Sequence, residues 1–191
     1  MEDYGTKRLP RPLSEVAERF PGVEIEMEIG LTANMLECLG ASFDVVIAMH
    51  PVGTADGVLI CEEKPVWIGA PHYGTDGSGI LPLALSGRDC LFRQWATRAL
   101  DEAGIAWRLA YVSTSQAAVE AIVTQGLAAT VAKKSMVPKT LKELDCSKML
   151  PALPGAEIRL HRAAGLGGVS AAFVDDLAYR LTTASGSSAD T

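Results

Sequence analysis

The sequence predicts an α/β protein, and three observations carry that prediction. Apolar runs of strand length alternate with segments whose apolar residues recur at the spacing of a helix face. Glycine, proline and short polar clusters mark the changes from one pattern to the other. The 191 residues are 48% hydrophobic and 21% charged, enough for one domain or two small lobes, and no run is long enough to cross a bilayer. Strands and helices that alternate along a chain pack as sheets with helices on their faces.

The elements follow in order. LPRPLSEVAERF (residues 9–20) places Leu13, Val16, Ala17 and Phe20 on one helical face, and Pro21-Gly22 stops it. VEIEMEI (23–29) alternates strictly, with Val23, Ile25, Met27 and Ile29 on one side and Glu24, Glu26 and Glu28 on the other. That pattern predicts a half-buried strand with an acidic outer face. Gly30 turns the chain into LTANMLECLG, a second helix striped by Leu31, Met35, Leu36 and Leu39. DVVIAM (44–49) is apolar throughout, which predicts a buried strand of parallel type.

In the middle, GVLICEE and PVWIGAP (57–71) read as two strands. HYGTDGSG (72–79) reads as a glycine-rich loop and LPLALS (81–86) as another strand. Asp89 is the expected cap of a helix running to about Ala103, with Phe92, Trp95, Ala96 and Ala99 inward and Gly104 closing it. Residues 133–155 carry three prolines and predict loops with a turn or two of helix. AEIRLHRA (156–163) is a late strand, and Val169, Phe173, Leu177 and Leu181 stripe a closing helix. SGSSADT (185–191) has the composition of a disordered end.

One corner stands out. RLAYVS (108–113) is β-prone, and from Gln116 the residues Ala118, Val119, Ile122 and Val123 recur at helical spacing. Gly126 ends that helix and LAATVA (127–132) runs on as a buried strand. The unit predicts two parallel strands joined right-handedly, with the helix start at the carboxyl edge of the sheet. Ser113, Thr114 and Ser115 sit at that start. A hydroxyl there serves as an N-cap, and the unpaired N–H groups and positive dipole end also favour an anion. Both readings stay open on the corner alone.

Composition narrows the partners. Net charge is −6 and no block of Lys or Arg stands out, which argues against a DNA-binding face on this chain. Cys38, Cys61, Cys90 and Cys146 are scattered without a C-x-x-C pair, each in an apolar or helical context, as reduced packed thiols would be. The three histidines lie far apart in sequence, so a His/Cys zinc site has little support and no cofactor is expected. Met1 is followed by EDYGTKRLPRP, which lacks the apolar core of a signal peptide, so secretion is not indicated.

At this level of detail the chain resembles the effector-binding domain of LysR-type transcriptional regulators. Phe20-Pro21-Gly22-Val23, Gly30, and Phe43-Asp44-Val45-Val46-Ile47 follow the opening of that domain in order. PVWIGAP, the stretch from LPLALSGRDCLFRQW to LAY, and TSQAAVEAIVTQGLAATVAKKSMVP are similar to its second half, including the Cys-x-Phe-Arg of one branch at Cys90 to Arg93. Ala132-Lys133 departs from the Leu-Pro of many relatives. The resemblance implies a two-lobed, type 2 periplasmic-binding-protein-like fold, each lobe a mixed sheet with flanking helices. Lobe I would be residues 1–69 and 157–191, and lobe II residues 70–156. The helix-turn-helix domain and the first strand of the effector domain are expected to lie outside this chain.

The resemblance also implies a small, anionic effector between the lobes, contacted by Tyr4 and Thr6 of a loop, by Thr32, by Ser113, Thr114 and Ser115, and by Lys133. Thr32 reads equally as an N-cap and Lys133 as a solvated strand end. Other implied properties are a homodimer or higher homo-oligomer, a cytoplasmic location, no membrane contact, and DNA contact only through the missing helix-turn-helix. A stand-alone solute-binding protein of the same fold is the alternative. An enzyme has little support, because no G-x-S-x-G elbow occurs and the histidines suggest no triad.

Overall fold

Pairing, more than local pattern, decides which apolar runs become strands. The computed structural model describes residues 1–30, 32–73, 79–145 and 150–186. The chain forms two compact units, one of Met1–Glu62 with Ala156–Thr191 and one of Glu63–Gly155.

Unit 1 begins with helices α1 (Glu2–Lys7), α2 (Pro10–Arg19) and α3 (Thr32–Glu37), then strands β1 (Val45–Pro51) and β2 (Val58–Glu63). Pro10 opens α2 because the first turn has no use for the N–H that proline lacks. Unit 2 contributes β3 (Pro65–Gly69), β4 (Leu81–Leu85), α4 (Leu91–Glu102), β5 (Trp107–Val112), α5 (Gln116–Thr124), β6 (Thr130–Lys133), a turn of 3-10 helix (Lys134–Met136) and β7 (Lys142–Glu143). The chain then returns to unit 1 as β8 (Ala156–Arg162) and α6 (Gly168–Gly186).

In unit 1 the late strand is the central one, in the order β1-β8-β2. β8 runs antiparallel to β1 from Val45 opposite Arg162 to Pro51 opposite Ala156. Val46, Ala48, Ile158 and Leu160 are buried in this sheet. α6 buries Phe173, Val174, Leu177, Ala178 and Leu181, and packs against α2, where the Phe20 and Phe173 rings meet edge to face at 5.9 Å. Arg180 clamps the two helices, donating to Glu15 Oε2 at 2.6 Å and to Asp176 Oδ2 at 3.2 Å, while Arg19 reaches Asp176 Oδ1 at 2.6 Å.

In unit 2, β3 is buried along its length and pairs antiparallel with β6 and with β7. β4 runs parallel to β5. On its other side Leu83 bridges Ala129 in parallel, with Ala84 N–H donating to the Ala129 carbonyl and Ala129 N–H to the Pro82 carbonyl, both at 2.9 Å. These bonds give one run of strands, β5-β4-β6-β3-β7. Alternation then sorts the core. Trp67, Leu83, Leu85 and Val131 pack with Ala96 and Leu100 of α4, whereas Val66, Ile68, Ala84 and Ala132 pack with Val119 and Val123 of α5. Each helix covers one face, which is why these strands read as unbroken apolar runs.

Several expectations are corrected. Residues 23–29 form no strand, and Ile25, Met27 and Ile29 are 41%, 48% and 42% exposed. Alternation makes a strand only beside another strand, and among the described residues none pairs with this segment. β1 is antiparallel to its neighbour, not parallel, because an apolar run reports burial on both faces and says nothing of direction. Residues 4–6 lie in α1, not in a loop. α4 starts at Leu91 with Cys90 as its N-cap, so Asp89 does not cap it, and the fully inward positions are Ala96 and Leu100. Val169, in the first turn of α6, is 60% exposed. Cys38 is exposed rather than packed. Leu31, residues 74–78 of the glycine-rich loop, Cys146 and the last five residues lie outside the described residues.

The turn from β1 to β2 closes on Gly57, whose φ is +96°. A Cβ there would lie 2.8 Å from the Leu160 carbonyl oxygen, which is backbone of the central strand and has no room to yield. Gly57→Ala is therefore expected to cost about 1–3 kcal/mol through the left-handed φ and that clash. Urea unfolding of the pair of proteins measures it.

Candidate functional site

A parallel strand must be followed by a crossover, so consecutive helices start at the same edge of the sheet. In unit 2 that edge is the carboxyl end of β4 and β5. β6 leaves the Ala129 bridge in the same direction as β4, which brings Lys133 to the same edge. Ser113 N–H donates to the Leu85 carbonyl at 3.2 Å and closes the two strand ends together. From here α4 begins after Cys90 and α5 after Ser115. Both N-termini open on one small cavity lined by Ser86, Cys90, Phe92, Arg93, Ser113, Thr114, Gln116 and Thr130, with apolar walls from Leu85, Val119 and Val131. Its volume is about 50 Å³, room for a water molecule or the charged end of a ligand rather than a whole metabolite.

The three hydroxyls of the opening corner divide their roles. Ser115 Oγ accepts the Ala118 N–H at 3.4 Å and is the N-cap. Ser113 Oγ accepts the Ser115 N–H at 3.1 Å and fixes the bend before the helix. Thr114 is exposed, lines the cavity, and its hydroxyl has no hydrogen bond among the described residues. The corner is a cap that leaves one hydroxyl over.

Two cations face this edge. Arg93 donates through Nη1 to the Ser86 carbonyl at 3.0 Å, which orients the guanidinium within the cavity wall. Lys133 is 2% exposed, and its Nζ stands 5.4 Å from the centroid of the Phe92 ring that lines the cavity. A lysine this deeply buried contradicts the reading of a solvated strand end. Lys133 itself is not among the lining residues. Two helix N-termini, a spare hydroxyl and two cations around one recess can hold a carboxylate or another small oxyanion.

The remaining predicted residues belong to unit 1. Tyr4 is buried in α1, and Thr6 is exposed with its Oγ donating back to the Glu2 carbonyl at 2.8 Å. Thr32 is half-buried as the first residue of α3. α1 lies against the corner before α3, since a Cβ on Gly5 would come 2.9 Å from Ile29 Cδ1. Ser86, Cys90, Arg93 and Thr130 escaped the sequence reading of the site. The signal for Ser86 was available: it follows the LPLAL strand as Ser113 follows RLAYV, a polar residue at a second strand-to-helix corner. Among the described residues no group of three or more His, Cys, Asp or Glu side chains could hold a metal ion.

This architecture is an α/β protein whose helices leave one carboxyl edge, with cationic and hydroxyl groups gathered around a recess there. The profile of the family described as LysR substrate binding domain matches residues 1–167. The chain belongs to that family. It is 34% identical over 160 residues to the HTH-type transcriptional regulator DgdR of Burkholderia cepacia, covering 83% of this chain and 54% of that protein. It thus spans about half the length of this curated relative. Among solved structures, the C-terminal domain of a probable LysR family regulator from Rhodococcus sp. RHA1 superposes with a TM-score of 0.70 at 20% identity, over 91% of this chain and 93% of that one. The CcmR regulatory domain of Synechocystis PCC6803, in complex with 2-PG, gives 0.68 at 17% identity over 92% and 90%. The fold is therefore that of the LysR regulatory domains, α/β and periplasmic-binding-protein-like.

The division of roles at the corner has a measurable consequence for stability. Ser115→Ala should lose about 1 kcal/mol with its cap, and Thr114→Ala should stay within about 0.5 kcal/mol of wild type, since no bond is lost. Denaturant midpoints for the two variants check this.

Proposed function

We propose that this chain is the ligand-sensing and dimerising domain of a bacterial, cytoplasmic LysR-type regulator, and that its ligand is a small organic anion seated at the carboxyl edge of unit 2. The observation that supports it is the recess where α4 and α5 both begin, with Thr114 unspent and Arg93 and Lys133 beside it. The protein works by binding and not by catalysis: a ligand that favours one arrangement over another is enough to shift a regulator. DNA contact belongs to a helix-turn-helix domain elsewhere in the whole regulator.

Calorimetric titration with a panel of small carboxylates and phosphorylated acids tests the site. Thr114→Ala should weaken the best ligand several-fold at unchanged stability, and Lys133→Met should weaken it further by removing a buried charge. Anion binding that is unaltered in both variants would leave the corner as a helix cap alone.

The dimer reading makes its own prediction. We infer from the family resemblance that residues 9–29 pair with residues 89–103 of a second copy, with Glu24, Glu26 and Glu28 toward Arg88, Arg93 or Arg98. The exposed Ile25, Met27 and Ile29 supply apolar area for that contact. Sedimentation at tens of micromolar is expected to show a dimer that Met27→Glu weakens. A duplex mobility assay is expected to show no sequence-dependent retardation, given the charge of −6.

A further inference from the structure

The recess of unit 2 has an inner wall whose chemistry the helix starts do not account for. β6 begins with Thr130, which stands opposite Ile68 of β3 and one residue past the Ala129 bridge to β4. Side chains alternate along a strand, so Thr130 shares the face of Ala128 and Ala132, the face that α5 covers with Val119 and Val123. Its neighbours in the sheet are Ile68 and Ala84, and neither side chain can pair with a hydroxyl.

Thr130 is 3% exposed and lines the recess. Its Oγ1 makes no hydrogen bond among the described residues. A hydroxyl held in an apolar wall costs free energy unless an oxygen or nitrogen comes to it from elsewhere. Thr114, which is exposed, marks the outer side of the same recess, and Thr130, which is buried, marks the inner one. The recess thus carries a spare hydroxyl at each end, with the start of α5 and the cations Arg93 and Lys133 beside them.

We propose that Thr130 is the inner hydrogen-bond donor of this site, and that a carboxylate ligand enters the recess charged end first. One carboxylate oxygen accepts the Thr130 hydroxyl, and the other meets Thr114 and the first turn of α5. This rests on the anion reading of the recess and adds a direction to it. A space of about 50 Å³ takes the head group alone, so the organic part of the ligand stays outside. The two cations exclude an ammonium end from the same place. An apolar end there leaves the hydroxyl buried and unpaired, so Thr130 sets specificity as well as affinity.

The free protein gains nothing from this hydroxyl. Valine keeps the branched shape and puts a methyl group where the oxygen was, so the two roles separate in one variant. Sodium acetate titrated into the 191-residue chain, followed by the amide shifts of residues 114–119, reads the binding. Thr130→Val should weaken acetate by about tenfold or more, because a bond to a charged acceptor is lost. Thr130→Ser keeps the hydroxyl and should stay within about threefold of wild type. Without acetate, the urea midpoint of Thr130→Val should be no lower than that of wild type.

Thr130→Val binding acetate as wild type does overturns the proposal and leaves the anion site standing. Thr130→Ser binding no better than Thr130→Val overturns it too, since shape and not the hydroxyl would then matter. A Thr130→Val chain with a lowered midpoint, or one that does not fold, shows a hydroxyl already used by the protein and has the same result. A wild-type chain that does not respond to acetate at all removes the anion reading and this proposal with it.

Discussion

Much of unit 2 depends on the position of β4 between two parallel neighbours. A strand flanked on one side by β5 and on the other by the Ala129 bridge commits the chain to crossovers, and a crossover brings each helix back to start where the strands end. The recess at that edge, the shared orientation of two helix N-termini, and the delivery of Lys133 to the same place all follow from it. Antiparallel pairing of β3 with β6 and β7 then closes the sheet on the far side, where no helix start is needed.

Unit 1 obeys a different constraint. Its central strand is supplied by residues that come after all of unit 2, so β1 and β2 have their common partner about a hundred residues away in sequence. No local pattern carries that information. The stretch 44–49 showed that a buried strand was there, while its direction depended on which strand would arrive beside it. The segment 23–29 is the mirror case. Its alternation is as regular as any in the chain, and with no partner among the described residues it stays out of the sheets. In unit 2, by contrast, most helix and strand positions were legible, because each helix covers one face and the central strands β3 and β4 are apolar on both.

The site was legible to the extent that it rests on backbone chemistry. Ser113 to Ser115 announced a helix start, and the structure keeps that meaning while separating the cap, the bend and the spare hydroxyl. Arg93 and Lys133 were harder to place. Arg93 lies in a helix whose register the Asp89 reading shifted by a residue or more, and an arginine on an amphipathic helix is ordinarily a surface residue. Lys133 ends a strand like many solvated lysines, and only the position of Phe92 beside it shows where its charge resides.

The aromatic residues offer an optical reading of the two units. All three tryptophans, Trp67, Trp95 and Trp107, belong to unit 2. Trp67 is fully buried with its Nε1–H donated to the Pro151 carbonyl, whereas Trp95 lies 5.9 Å from Phe92, a wall of the recess. Tryptophan emission from this protein is consequently a local instrument. It reports first on the surroundings of β3, α4 and β5, where the three indole rings sit.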